Sequence, residues 1–208
     1  MRSINPTTEQ LIDEYPEDSD EQVEVKLERA EAAFDSWRRT DFGERHRRMR
    51  KVAELLRKRE DEYAGLMTEE MGKPIEQARS EVLKCAWVCD YFSDNAAEFL
   101  ENEPLTSDGS KAYMRFDPLG PLLAIMPWNF PFWQVFRFAA PHLMAGNVGL
   151  LKHAENTFGC AKALDELFGA AGFPEGVFQA LYIDKTRVEP VIADQRVRGV
   201  SLTGSVGA

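Results

Sequence analysis

A chain of 208 residues with 44% apolar and 29% charged residues can bury a real core and has the composition of a globular protein. Its net charge of -10 argues against nucleic acid as a partner. No run approaches the ~18 apolar residues of a membrane helix, and Met1-Arg2-Ser3-Ile4-Asn5-Pro6 has no apolar signal region.

The three cysteines, Cys85, Cys89 and Cys160, fit a reducing, cytoplasmic setting rather than a disulfide framework. The acidity is local: residues 1–104 hold 16 Lys/Arg against 26 Asp/Glu, whereas residues 105–208 hold 9 of each. The chain divides into an N-terminal arm and helical part over 1–102, a hairpin over 103–117 and an alternating region over 118–208. Residues 1–18 read as an extended arm broken by Pro6 and Pro16. Ser19 or Asp20 caps a helix on which Val23, Leu27, Ala30, Phe34 and Trp37 form one apolar stripe. Gly43 interrupts, and a basic helix follows, with Arg45, Arg47, Arg48 and Arg50 leading the run around an inner stripe of Met49, Val52 and Leu56. Interleaved Glu44, Glu54, Glu60, Asp61 and Glu62 make that run a solvated, ion-paired face.

Glu70-Met71-Gly72-Lys73-Pro74 stops one helix and restarts another, with Gly72 as C-cap and Pro74 in the next first turn. The second helix runs over 75–101, with Ile75, Ala78, Val82, Cys85, Cys89, Phe92, Ala96 and Phe99 along one face. Cys85 and Cys89 have no further Cys or His near them, so they read as core and no metal site is expected. Residues 103–117 read as strand, turn, strand around Ser107-Asp108-Gly109-Ser110. Marginal alone, that hairpin is expected to pair with something else.

Beyond Pro118 the pattern is strand 121–126, helix 132–144, strand 147–151, helix 156–171, strand 177–183, helix 185–193 and strand 198–203. This alternation predicts an α/β fold with a parallel, doubly wound sheet and right-handed crossovers. Ligands of such sheets sit at the carboxyl ends of the strands. No G-x-G-x-x-G follows the first strand, and no P-loop occurs anywhere. What remains is Gly204-Ser205 at a strand-to-helix turn, able to take a pyrophosphate, and Lys152 with Glu155, whose carboxylate can accept ribose hydroxyls. Gly172-Phe173-Pro174-Glu175-Gly176-Val177 makes a tight helix-to-strand turn. A helix is expected to open after Ser205, and the chain reads as part of something longer.

Four motifs, in order and spacing, resemble the aldehyde dehydrogenase superfamily. They are Met126-Pro127-Trp128-Asn129-Phe130-Pro131, Ala145-Gly146-Asn147 with Lys152-x-x-Glu155, the glycine turn ending in Gly176-Val177, and Leu202-Thr203-Gly204-Ser205. Glu70-Met71-Gly72-Lys73-Pro74 fits the same pattern. The run Trp128 to Phe138, with Leu150-Leu151-Lys152-His153-Ala154, is most similar to the succinate-semialdehyde dehydrogenase branch. The resemblance implies N-terminal helices plus a Rossmann-like sheet, truncated before the catalytic domain. It also implies NAD(P)-dependent oxidation, in which a cysteine thiolate attacks the aldehyde and a glutamate activates water. Asn129 matches the oxyanion donor, and Lys152 and Glu155 match the adenosine-ribose contacts. Gly204 and Ser205 match the pyrophosphate turn. Groups at Met126 and Trp128, and Gly176 near the adenine, carry over as further cofactor contacts, and Arg137 matches an arginine facing the substrate's distal carboxylate. The family's nucleophilic cysteine and general-base glutamate match nothing in these 208 residues. The Glu155 carboxylate is expected to favour NAD, with NADP as the alternative because Lys152 can pair with a 2′-phosphate. A homo-oligomer through the 103–117 hairpin is expected, with a small semialdehyde as substrate. The competing readings are an inactive family member serving as a binding or assembly module, and an unrelated nucleotide-binding domain.

Overall fold

The computed structural model describes residues 1–205. The first of them depart from an extended arm. Strand β1 (Arg2–Ile4) pairs antiparallel with β2 (Leu11–Glu14), closed by the Asn5 side chain, which accepts from the amides of Thr7 and Thr8. Helix α1 (Asp20–Trp37) opens on a capping box between Ser19 and Gln22. Leu27, Ala30 and Trp37 of the expected stripe are buried, joined by Ala33, while Val23 and Phe34 are partly covered.

Helix α2 (Phe42–Lys58) starts at an Asp41 cap, so Gly43 lies inside its first turn and interrupts nothing. Arg45 is not part of a solvated face. It falls one turn before Met49, on the same side as Val52 and Leu56, and is buried. Its guanidinium donates to the carbonyls of Trp37, Arg38 and Met144 and to the Thr40 hydroxyl. Helix-end carbonyls that lack intrahelical donors supply those acceptors. Helix α3 (Glu60–Met71) ends at Gly72, whose φ of +73° is the left-handed cap. Helix α4 (Ile75–Phe99) follows Pro74. Cys85 and Cys89 are buried in its core face, Ile75 and Phe99 at its ends are exposed, and no metal-ligating cluster occurs among the described residues.

Strands β3 (Glu103–Pro104) and β4 (Tyr113–Met114) form the expected hairpin, which pairs with no other strand among the described residues. The alternating region then supplies β5 (Pro121–Met126), α5 (Trp133–Met144), β6 (Val148–His153), a 3-10 turn at Glu155–Thr157 and α6 (Phe158–Ala170). It continues with β7 (Phe178–Ala180), a second 3-10 turn at Lys185–Arg187, α7 (Val188–Ala193) and β8 (Gly199–Leu202). The helix expected after Ser205 lies outside the described residues. The four long-range strands are parallel in the order β7-β6-β5-β8. Every residue of β6 is buried, the mark of a parallel strand covered on both faces. Helix α1 lies across β5, β6 and β7, and α5 and α6 pack on the same strands. The helical part and the sheet share one hydrophobic core. Asn147 locks the start of β5 beside β6, its side-chain oxygen accepting from the amides of Leu119 at 2.7 Å and Gly120 at 3.1 Å.

Candidate functional site

The chain builds β5, β6 and β7 outward in one direction and then returns to place β8 on the other side of β5. That reversal puts a topological switch point at the carboxyl ends of β5 and β8, the position where open parallel sheets bind ligands. The strand ends are level there. Ile125 pairs with Lys152 on one side and Leu202 on the other, and the Thr203 amide donates to the Ile125 carbonyl at 3.0 Å.

Met126 closes β5 and is buried, whereas Trp128 and Asn129 are exposed in the turn that follows. The main chain of that turn is held from several sides. Lys73 Nζ donates to the Asn129 carbonyl at 3.0 Å. Glu81 Oε1 accepts from the amides of Phe132 and Trp133, each at 2.9 Å. His153 Nδ1 accepts from the Ala154 amide at 2.8 Å, which leaves the proton on Nε2 to donate to the Pro131 carbonyl at 3.0 Å. The ring is wholly buried, and burial pushes its pKa down to about 4.

At the end of β6, Lys152 is buried and Glu155 is exposed, with Nζ and Oε1 4.0 Å apart. Burial lowers the Lys152 pKa, against the raising influence of Glu155 and of Asp184 at the end of β7. Lys152 and Glu155 thus present an ammonium and a carboxylate side by side. Gly204 and Ser205 are exposed at the end of β8. Lys152 and Glu155 at one strand end and Gly204 and Ser205 at another thus lie on the same edge of the sheet.

Gly176 is not brought to this edge. It precedes β7, so in a parallel sheet it lies at the amino end, opposite the other candidates. Helix α1 covers it: a Cβ there would stand 2.6 Å from the Arg29 carbonyl oxygen. A close helix–strand approach, rather than a ligand, requires the glycine. Arg137 lies on α5. Its helical neighbours Val135, Phe136, Phe138 and Ala139 are buried, but Arg137 points outward and donates to the Thr203 hydroxyl at 3.1 Å. No internal carboxylate among the described residues satisfies it, and it stands beside the end of β8.

Three residues of the site escaped the motif reading: Lys73, Glu81 and His153. Lys73 sits inside the quoted Gly72-Lys73-Pro74 break. Glu81 occupies a stripe position between Ala78 and Val82, and a carboxylate on a buried face needs a partner. That was the available signal. Cys85, Cys89 and Cys160 are all buried, and burial raises each thiol well above its ordinary value.

The chain matches the Aldehyde dehydrogenase family over residues 1–208. It is 51% identical over 205 residues to a probable succinate-semialdehyde dehydrogenase [NADP(+)] of Synechocystis sp., covering 99% of this chain and 45% of that protein. It is 43% identical to succinate semialdehyde dehydrogenase [NAD(P)+] Sad of Escherichia coli, covering 99% of this chain and 45% of that protein. The fold superposes on succinic semialdehyde dehydrogenase from Streptococcus pyogenes, solved with NADP+, with a TM-score of 0.92 and 38% identity over 96% of this chain and 44% of that one. The chain therefore spans less than half the length of the relatives it matches. The family match over the whole sequence and the superposed fold agree: the chain belongs to the aldehyde dehydrogenase family.

Proposed function

We propose that this chain is the cofactor-binding part of a dehydrogenase that oxidises succinate semialdehyde to succinate with NAD or NADP. The reading rests on one observation above the others. Asn129, Lys152, Glu155, Gly204 and Ser205 converge on the carboxyl edge at the point where strand order reverses. The bound dinucleotide supplies the hydride acceptor. Glu155 and Lys152 hold the ribose hydroxyls, and the turn at Gly204 and Ser205 directs N–H groups to the pyrophosphate. The Asn129 side-chain amide donates to the aldehyde oxygen, where negative charge develops.

The expectation of an NAD preference came from the Glu155 carboxylate. The Lys152 ammonium beside it at 4.0 Å offsets the repulsion of a 2′-phosphate, and relatives named for NADP(+) support a site that accepts both forms. For the substrate, the exposed guanidinium of Arg137 has donors beyond the one bonded to Thr203 and can fork onto a carboxylate. In the full-length protein containing this chain, Arg137→Ala should lower kcat/KM for succinate semialdehyde by roughly ten- to a hundredfold, the loss of one charged hydrogen-bonded contact. A neutral aldehyde of similar length should be nearly unaffected. Assays with NAD and NADP in parallel read both points. Equal losses on the two aldehydes would make Arg137 structural and remove the local support for the substrate.

A further inference from the structure

Lys73 and Glu81 are among the most deeply buried charged residues, 5% and 4% exposed. Lys73 lies in the break before α4 and Glu81 in that helix's second turn. Their side chains form a hydrogen-bonded ion pair. Taking two charges out of water is costly, and a buried pair is often replaceable by apolar side chains with no loss of stability. What such a pair does supply is direction, and here all the direction is spent on one segment.

An ammonium has three donors. Those of Lys73 face Glu81 Oε2, the Asn129 carbonyl at 3.0 Å and the ring of Phe130, whose centroid is 3.7 Å from Nζ. The other Glu81 oxygen takes the amides of Phe132 and Trp133. Those N–H groups lie at the start of α5, where helical donors lack intrahelical partners. The pair therefore grips residues 129–133 at both ends, and the Asn129 side chain hangs from that backbone.

We propose that Lys73 and Glu81 are positioning residues that aim the Asn129 amide, acting through its main chain and touching neither substrate nor cofactor. This rests on the reading of Asn129 as the oxyanion donor. The test uses the full-length dehydrogenase and the double variant Lys73→Met/Glu81→Gln, which strands no lone buried charge and keeps an acceptor for the α5 amides. Misplacing a reacting group by about 1 Å costs on the order of a hundredfold, so kcat should fall roughly ten- to a hundredfold. KM for aldehyde and Kd for cofactor should stay within about twofold, because an interaction confined to the transition state lowers kcat and kcat/KM together. Asn129→Ala alone should cost about a hundred- to a thousandfold. On that background the double variant should cost nothing further. Glu81→Asp, which keeps both charges but shortens the reach, should show the same signature more weakly, and it decides the matter if the double variant does not fold. Equal losses with and without Asn129, or weakened cofactor binding, would overturn the proposal and leave a general structural pair. A large effect of Asn129→Ala with none from the pair would overturn it while leaving the function intact. No effect from Asn129→Ala would remove the function reading of Asn129, and this proposal with it.

Discussion

At Gly176 the backbone has a φ of +90°, and an added Cβ would meet the Arg29 carbonyl oxygen at 2.6 Å and the Ala33 methyl at 2.9 Å. Both the conformation and the space exclude a side chain. Gly176→Ala should therefore destabilise the protein by about 1–3 kcal/mol, read as a lower Tm, with unchanged cofactor affinity in the fraction that remains folded. A weakened affinity at full stability would restore the adenine contact. His153 makes the second residue-scale prediction. Its folded pKa, about 4, lies below the ordinary imidazole value of about 6.5. Between those values the unfolded chain binds a proton that the folded chain refuses. Stability from this residue is thus full above pH 6.5 and is lost as pH falls towards 4, by on the order of 3 kcal/mol. Asp165 has the opposite sign, because burial raises its pKa to about 6, but it is common to both proteins in a comparison. His153→Gln should therefore lose less Tm than the parent between pH 7 and 5. Parallel pH profiles would show that the ring is not neutral in the fold.

Among the elements, the isolated hairpin of β3 and β4 stands apart. Its two-residue strands are exposed, as are Leu105, Tyr113, Met114 and Phe116 around them. A hairpin of this size has too little to pack against to persist alone, and its open edges invite pairing with a second copy. We propose that the hairpin joins copies of the full-length protein, so Leu105→Lys with Met114→Lys should lower its mass by light scattering, leaving far-UV circular dichroism unchanged. An unaltered mass would place the interface elsewhere. The strands of the main sheet were delimited to within a few residues. Strand 121–126 was read to the residue because Pro121 and Pro127 bound an apolar run. Strand 177–183 contracts to Phe178–Ala180, although the Leu181 amide still bonds to Leu151.

The whole molecule shares one core across helices and sheet, and all three thiols lie inside it. A thiolate is the nucleophile in cysteine chemistry, and burial keeps these three protonated. The 208-residue chain by itself should show no aldehyde-dependent cofactor reduction. In the native state it should also show no fast thiol reaction with a disulfide reagent, and three reactive thiols after guanidinium unfolding. A rapidly reacting native thiol, or turnover above the buffer blank, would contradict this.

The sequence by itself determined the class of fold, most helix limits, the cap at Gly72, and the strand ends carrying Asn129, Lys152, Glu155 and Ser205, while it left Ser19 and Asp20 as alternatives for the first cap. Those features are local: apolar periodicity and turn chemistry act within a few residues of one another. The tertiary structure alone decided the strand order that sets Thr203 beside Ile125, and with it which candidates share an edge. Gly176 was misplaced because a glycine in a turn does not announce whether ligand or helix approaches it. Arg45 was read as part of a solvated face, but it is buried against the Met144 carbonyl, 99 residues away, and the amides that Glu81 holds come from as far as 52 residues along the chain. Burial of a charge is a property of packing, and the acceptor or donor that makes it tolerable has no fixed distance along the chain.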